Sequence, residues 1–139
     1  MLRNSLFSDL GIKYALARTL PIPITEGTYE YDRAFEHFIV TQIAHLSSYK
    51  FPDWRLSYLR TAAGAEIDLV IERPGAPEVL IEVKSTQRVV ARDVRSTARF
   101  AKDFANPLAL CISRDATRMR FEDVLCVHWR DAFKELGLT

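Results

Sequence analysis

The sequence predicts an α/β domain with a mixed central sheet and helices on both faces. Three observations carry this. Residues 64–72 and 78–84 are two short runs rich in Val and Ile, and the connection from Arg73 to Pro77 between them contains Pro74, Gly75 and Pro77, which signals a hairpin. Residues 108–113 are apolar without alternation, as in a strand buried on both faces. Stripes of apolar residues at helical spacing precede and follow the hairpin.

Taken in order, Ser8 or Asp9 can cap a helix through Ile12, Leu16 and Leu20, which Pro21 and Pro23 end. Residues 21–28 read as a linker broken at Gly27, so 1–27 form an N-terminal helical extension and 28–139 the core of a single domain. A second helix is expected from about Thr28 or Asp32 to Tyr49, with Phe35, Phe38, Ile39, Ile43 and Leu46 on its apolar face and Pro52 beyond its end. Glu36 precedes Ile39, Val40 and Ile43 at i, i+3, i+4 and i+7, which aims a carboxylate toward the core or leaves it at the stripe's wet edge. Residues 54–60 read as a strand with Trp54, Leu56 and Tyr58 on one side, antiparallel to the hairpin that follows. Period two puts Leu80, Glu82 and Lys84 on one face of the second hairpin strand and Val79, Ile81 and Val83 on the other; on the first, Ile67, Leu69 and Ile71 alternate with Glu66, Asp68 and Val70. A helix from about Ala91 or Asp93 to Ala105 buries Val94, Ala98, Ala101 and Ala105, broadened by Phe100 and Phe104, and Asn106-Pro107 closes it. After the apolar strand come a charged connection over 114–122, a strand over 124–129 and a short helix over 131–136 with Gly137 at C′.

Length and composition bound the function. With 139 residues, 48% hydrophobic and 27% charged, the chain suits one ordinary globular domain. A net charge of +1 means that nucleic-acid affinity would come from local patches rather than a bulk field. Cys111 and Cys126 lie in apolar strand-like runs and read as reduced core residues of a cytoplasmic protein. Polar Asn4, Ser8 and Asp9 do not suit a secretory signal, and no apolar run is long enough to span a membrane. There is no zinc spacing among His37, His45 and His128, and no phosphate-binding G-x-x-x-x-G-K-[ST] loop.

Two constellations carry chemistry. Glu36, Asp68 and Glu82 with Lys84 bring three acids and an amine from a helix and two adjoining strands. Carboxylates are the ligands magnesium and manganese prefer, so Asp68, Glu82 and the backbone carbonyl of Val83 are candidate metal ligands. Lys84 would face the attacking water or the scissile phosphate, and Glu36 would orient the metal's water shell. The alternative is a cross-strand salt bridge in which Lys84 simply pairs with Glu82 or Asp68. The second constellation is Arg88, Arg92, Arg95, Arg99 and Lys102, spaced four, three, four and three apart, a basic stripe suited to a phosphate backbone or else a solvated face.

Asp68 followed by Glu82-x-Lys84 on the next strand, with Glu36 on the preceding helix, resembles the PD-(D/E)XK, or restriction-endonuclease-like, nuclease superfamily. More narrowly, residues 9–12 with Leu16, 34–39, 64–72, 80–85 and Trp129-Arg130 look like the domain of unknown function C-terminal to the ATPase module of bacterial and archaeal AAA-type ATPases. The resemblance implies an α-β-β-β-α-β core and a nuclease-like domain acting on DNA with Mg2+ or Mn2+, accessory to an ATPase in cis or in trans. The proline of the superfamily's name is Ile67 here, and the ATPase half is absent, so the chain reads as a fragment or a short stand-alone version. A non-catalytic DNA-binding or ATPase-docking module is the rival reading, and a homodimeric resolvase-like endonuclease the third.

Overall fold

A computed structural model describes residues 2–5, 27–60 and 66–139, the first four as backbone only. The elements are β1 (Leu2–Ser5), α1 (Tyr29–Lys50), β2 (Arg55–Arg60), β3 (Glu66–Arg73), β4 (Ala76–Val83), a 3-10 turn (Ala91–Val94), α2 (Arg95–Ala101), β5 (Leu108–Ser113), β6 (Met119–Phe121), β7 (Val124–His128) and α3 (Trp129–Glu135). The strands form one mixed sheet in the order β1-β2-β3-β4-β5-β7-β6. The pairs from β1 to β4 are antiparallel, β4-β5 and β5-β7 are parallel, and β6 returns antiparallel to β7.

Local sequence explains most boundaries. The Thr28 hydroxyl accepts from the Tyr31 amide at 3.2 Å, and Glu30 and Asp32 in the first turn of α1 complement its dipole, as Lys50 does in the last. Ile39, Val40, Ile43 and Ala44 bury the predicted stripe, but Phe38 is 37% exposed. It lies at the rim, edge-on to Trp129. The β3-β4 hairpin is tighter than expected, since Arg73 pairs with Ala76 and only Pro74-Gly75 turn the chain. Proline presets the first turn position, and Gly75, at φ +72°, supplies the positive φ of the second. Gly137 ends α3 as predicted: its amide bonds Lys134 O and the Leu138 amide bonds Phe133 O, a Schellman motif.

The core has two layers. On one face, α1 and α3 cover Leu69, Ile71, Val79, Ile81, Leu110 and Ile112; on the other, the α2 segment covers Val70, Leu80, Ala109, Cys111 and Cys126. Each such fully buried Leu, Ile or Val contributes roughly 1.5–3 kcal/mol. The prediction of a doubly buried 108–113 strand holds, because β5 sits between two parallel neighbours. Both cysteines are free and buried. Among the described residues, no helix is long and apolar enough to cross a membrane.

Four expectations need correction. The third predicted helix is a 3-10 turn followed by seven α residues, and Ala105 is exposed beyond it. The Asp93 carboxylate caps the Val90 amide at 2.9 Å at the start of this segment, and beyond its other end Asn106, at φ +56°, is left-handed. The connection over 114–122 contains edge strand β6, whose three residues are too short to show a period. Residues 2–5 add a strand to the other edge where an N-terminal helical extension was expected; the helix expected through Ile12, Leu16 and Leu20 lies outside the described residues. Finally, Ile67 does not share a face with Leu69 and Ile71. Ser57 pairs with Val70 but Leu59 with Ile67, so two steps on β2 span three on β3, and this bulge at Asp68-Leu69 sends Ile67 to the α2 side with Val70.

Candidate functional site

The bulge lies where the sheet changes sense. β4 runs antiparallel to β3 and parallel to β5, so the carboxyl ends of β4, β5 and β7 and the start of β3 share one edge of the sheet. Crevices at such switch points are where open α/β sheets place ligands. The β3-β4 pairing stops at Leu69 and Ile81, and beyond it Asp68 Oδ2 accepts the Val83 amide at 2.7 Å in place of a ladder bond. The bulge therefore turns Asp68 inward, onto the end of β4.

The four predicted residues lie in this neighbourhood. Glu36 comes from the amino-terminal half of α1, and its carboxyl shares a hydrogen bond with that of Asp68. Glu82 projects from β4 toward α2, is 8% exposed, and accepts the Thr97 hydroxyl at 3.1 Å on Oε2. Its Oε1 lies 3.2 Å from Lys84 Nζ. Glu36 thus approaches Asp68 from α1 on one face of the sheet, while the Glu82 side chain leaves β4 toward α2 on the other, near enough for the Asp68 charge to act on it. Val83 is buried in the α1-side core, with its backbone between Asp68 and the cleft.

Crowding and burial set the charges. Burial first, then the Glu36 charge and the shared hydrogen bond, hold the Asp68 carboxyl well above the usual range, against the Val83 amide and the Lys84 charge. Burial and the Asp68 charge push Glu82 up to about 7, with Lys84 and Thr97 pulling the other way. For Lys84, burial works against the charged form, but Glu82 and then Asp68 outweigh it and raise its pKa. Asp68 and Glu82 are thus the two acids whose charge the site disfavours. Among the described residues, no three His, Cys, Asp or Glu side chains close into a metal-holding group.

Glu36, Val83 and Lys84 line a cleft of about 480 Å³ together with residues the sequence did not single out, chiefly Asp32, Tyr31 and Arg114. The Ser85 hydroxyl donates to Asp32. Arg114 at the end of β5 donates from Nε to Ser85 O and from Nη1 to the Tyr31 hydroxyl, both at 2.8 Å, and its guanidinium lies 5.0 Å from the Tyr31 ring centre. Arg114 therefore ties the segment after Lys84 to the helix that carries Glu36. Thr97 was legible in principle: it is a polar residue within the line of Val94, Ala98 and Ala101, on the face toward which Glu82 points. Arg114 was not, because its role depends on strand order.

Arg88, Arg92, Arg95, Arg99 and Lys102 are all exposed. Arg95 and Arg99 lie on α2, Arg92 on the 3-10 turn and Lys102 at the C-cap, while Arg88 precedes the helical segment. The predicted single helical stripe is thus a row along a bent segment.

No curated protein matches the chain significantly. Among solved structures, a chain from a Thermococcus gammatolerans assembly of McrB AAA+ hexamers with bound McrC aligns over 70% of this chain and 27% of its own length, with 11% identity and a TM-score of 0.48. The present chain thus spans about a quarter of that one. Residues 31–131 match the family described as a domain of unknown function, DUF4143, and the chain belongs to that family.

Proposed function

We propose that the domain is a magnesium- or manganese-dependent phosphodiester hydrolase acting on DNA, accessory to an ATPase. The observation that carries this is the proximity of Glu36, Asp68, Glu82 and Lys84 where β3 and β4 part, with Asp68 and Glu82 held above their usual pKa. The order α1-β2-β3-β4-α2-β5 supports a restriction-endonuclease-like core, and the sequence resemblance to domains following AAA-type ATPase modules supports the accessory role.

The donor set suits a hydrated hard cation, which takes one or two carboxylates and keeps its waters, better than a closed cage. Asp68 and Glu82, with the Val83 carbonyl, would hold it. When bound, the cation supplies neutralisation of phosphate charge and a more acidic water. Lys84 presents an ammonium at the cleft wall, where it counters charge building on the phosphate. Thr97 fixes the rotamer of Glu82, the Val83 amide fixes Asp68, and Glu36 holds or releases a proton at the Asp68 carboxyl. The exposed basic row would track the strand's phosphates.

A second reading has its own observation. Glu82 is already satisfied by Lys84 and Thr97, as it would be in a non-catalytic DNA-binding or ATPase-docking module of the same fold. Cleavage of linear, nicked, branched and single-stranded DNA in manganese, comparing the parent with Lys84→Ala, separates the two. Hydrolysis abolished in the variant supports the enzyme; intact DNA on every substrate supports the module.

A further inference from the structure

Beyond the acid cluster the chain carries a second concavity, of about 570 Å³, between the segment after β4 and strand β6. Val89, Val90 and Ala91 form one wall, and Met119 and Phe121 the other. One buried side chain fixes the two walls. Asp115, 7% exposed, accepts the Val89 amide from one wall and the Thr117 amide from the other, each at 2.9 Å. These amides hold its carboxylate below the usual range. The groove is therefore preformed, and its opening is apolar: Val90 is 38% exposed, and Met119 and Phe121 are only partly buried. Arg88 stands exposed at its lip.

The groove adjoins the cleft that Lys84 lines. Gln87 lines both, and an unbroken run of eight residues, 84–91, forms a wall first of one and then of the other. A ligand with phosphate at Lys84 therefore extends directly toward an apolar slot flanked by a guanidinium. A planar base on a phosphodiester backbone has this chemistry: the slot takes the aromatic face and Arg88 the next phosphate. Paired bases in a duplex keep their faces covered by stacking, so the occupant must be unpaired.

We infer that the groove formed by Val89, Val90, Met119 and Phe121 is a subsite for an unpaired nucleobase adjoining the phosphate bound in the cleft. The domain's substrate is then single-stranded DNA, or the unpaired arm of a branched or flapped duplex. This rests on the phosphodiester reading of the cleft, but its test does not depend on cleavage.

The test is equilibrium binding of a short fluorescent single-stranded oligonucleotide in chelator, with an abasic position moved along the strand. An abasic gap at one place is expected to weaken binding about fivefold or more, the range of one lost base–aromatic contact, while gaps elsewhere change it little. In Phe121→Ala and in the surface change Val90→Ser, binding of the intact strand falls and the position-dependent penalty disappears. The abasic scan on the parent decides the matter even if Phe121→Ala folds poorly. Uniform sensitivity to every gap, with Val90→Ser binding like the parent, overturns the subsite, and manganese-dependent cleavage in that case leaves the hydrolase reading standing. The same indifference with a changed sedimentation coefficient in Val90→Ser assigns the groove to a second copy of the chain and likewise overturns the inference. Absence of binding to any DNA overturns it as well, and the reading of the cleft with it.

Discussion

Replacing Glu82 with glutamine should make the apo protein less sensitive to pH, by an amount the structure sets. Burial and the Asp68 charge raise the Glu82 pKa from an ordinary 4.5 to about 7. The folded state thus binds a proton that the unfolded state has already released between these values. Stability from this group is fully present below pH 4.5 and is lost as pH rises through about 7. At ~1.4 kcal/mol per unit, the loss between pH 4.5 and pH 8 is about 3 kcal/mol. Glutamine mimics the protonated acid and keeps the Thr97 hydrogen bond, but forgoes the pair with Lys84. That lysine side chain is 40% exposed, so water replaces the pair at a cost of at most ~1 kcal/mol. Urea unfolding in chelator at the two pH values, for parent and Glu82→Gln, measures the effect as a difference of differences, from which titrating groups remote from Glu82 cancel. The variant should gain about 3 kcal/mol on the parent between pH 4.5 and pH 8. Parallel pH profiles for the two proteins would show that Glu82 titrates normally and that the cluster is not strained.

Asp68→Asn should stabilise the apo protein at neutral pH, because the amide still accepts the Val83 N–H without the unfavourable charge, and should abolish any rise in Tm with millimolar magnesium or manganese. Differential scanning fluorimetry checks both, and a less stable variant of a parent that ignores metal would favour a plain salt bridge. Thr97→Val should raise the Glu82 pKa further and cost about 1–3 kcal/mol above pH 7 but little below pH 5, read by the same urea experiments. Arg114→Lys should weaken the link between α1 and the segment after Lys84, because an ammonium cannot reproduce the two guanidinium bonds. Faster amide exchange over residues 85–87 would report this, and unchanged exchange would refute it. Arg95→Ala with Arg99→Ala should weaken DNA binding and flatten its salt dependence in a polarisation assay; unchanged binding would discard the basic row.

Much of the scaffold is legible in the sequence because its period is local. The α1 stripe, the Pro74-Gly75 turn, the doubly buried β5 and the Gly137 stop each rest on residues a few positions apart. The site was legible as residue types, since acids inside apolar strands need partners. What the sequence withheld is long-range or sub-periodic. The bulge that turns Asp68 depends on how β2 pairs with β3, which alternation along β3 alone does not reveal. Arg114 becomes a tether only because β5 lies beside β4. β6 is too short to signal itself, and α2 ends at Ala101, short of the Ala105 that the apolar spacing suggested.

In the proposed function, Asp68 and Glu82 form a seat for a divalent cation. Calorimetric titration of manganese into the metal-free protein tests it without reference to any substrate. One saturable cation per chain is expected, absent in Asp68→Asn and weakened in Glu82→Gln. No saturable binding at millimolar manganese, or equal binding by parent and Asp68→Asn, would contradict it.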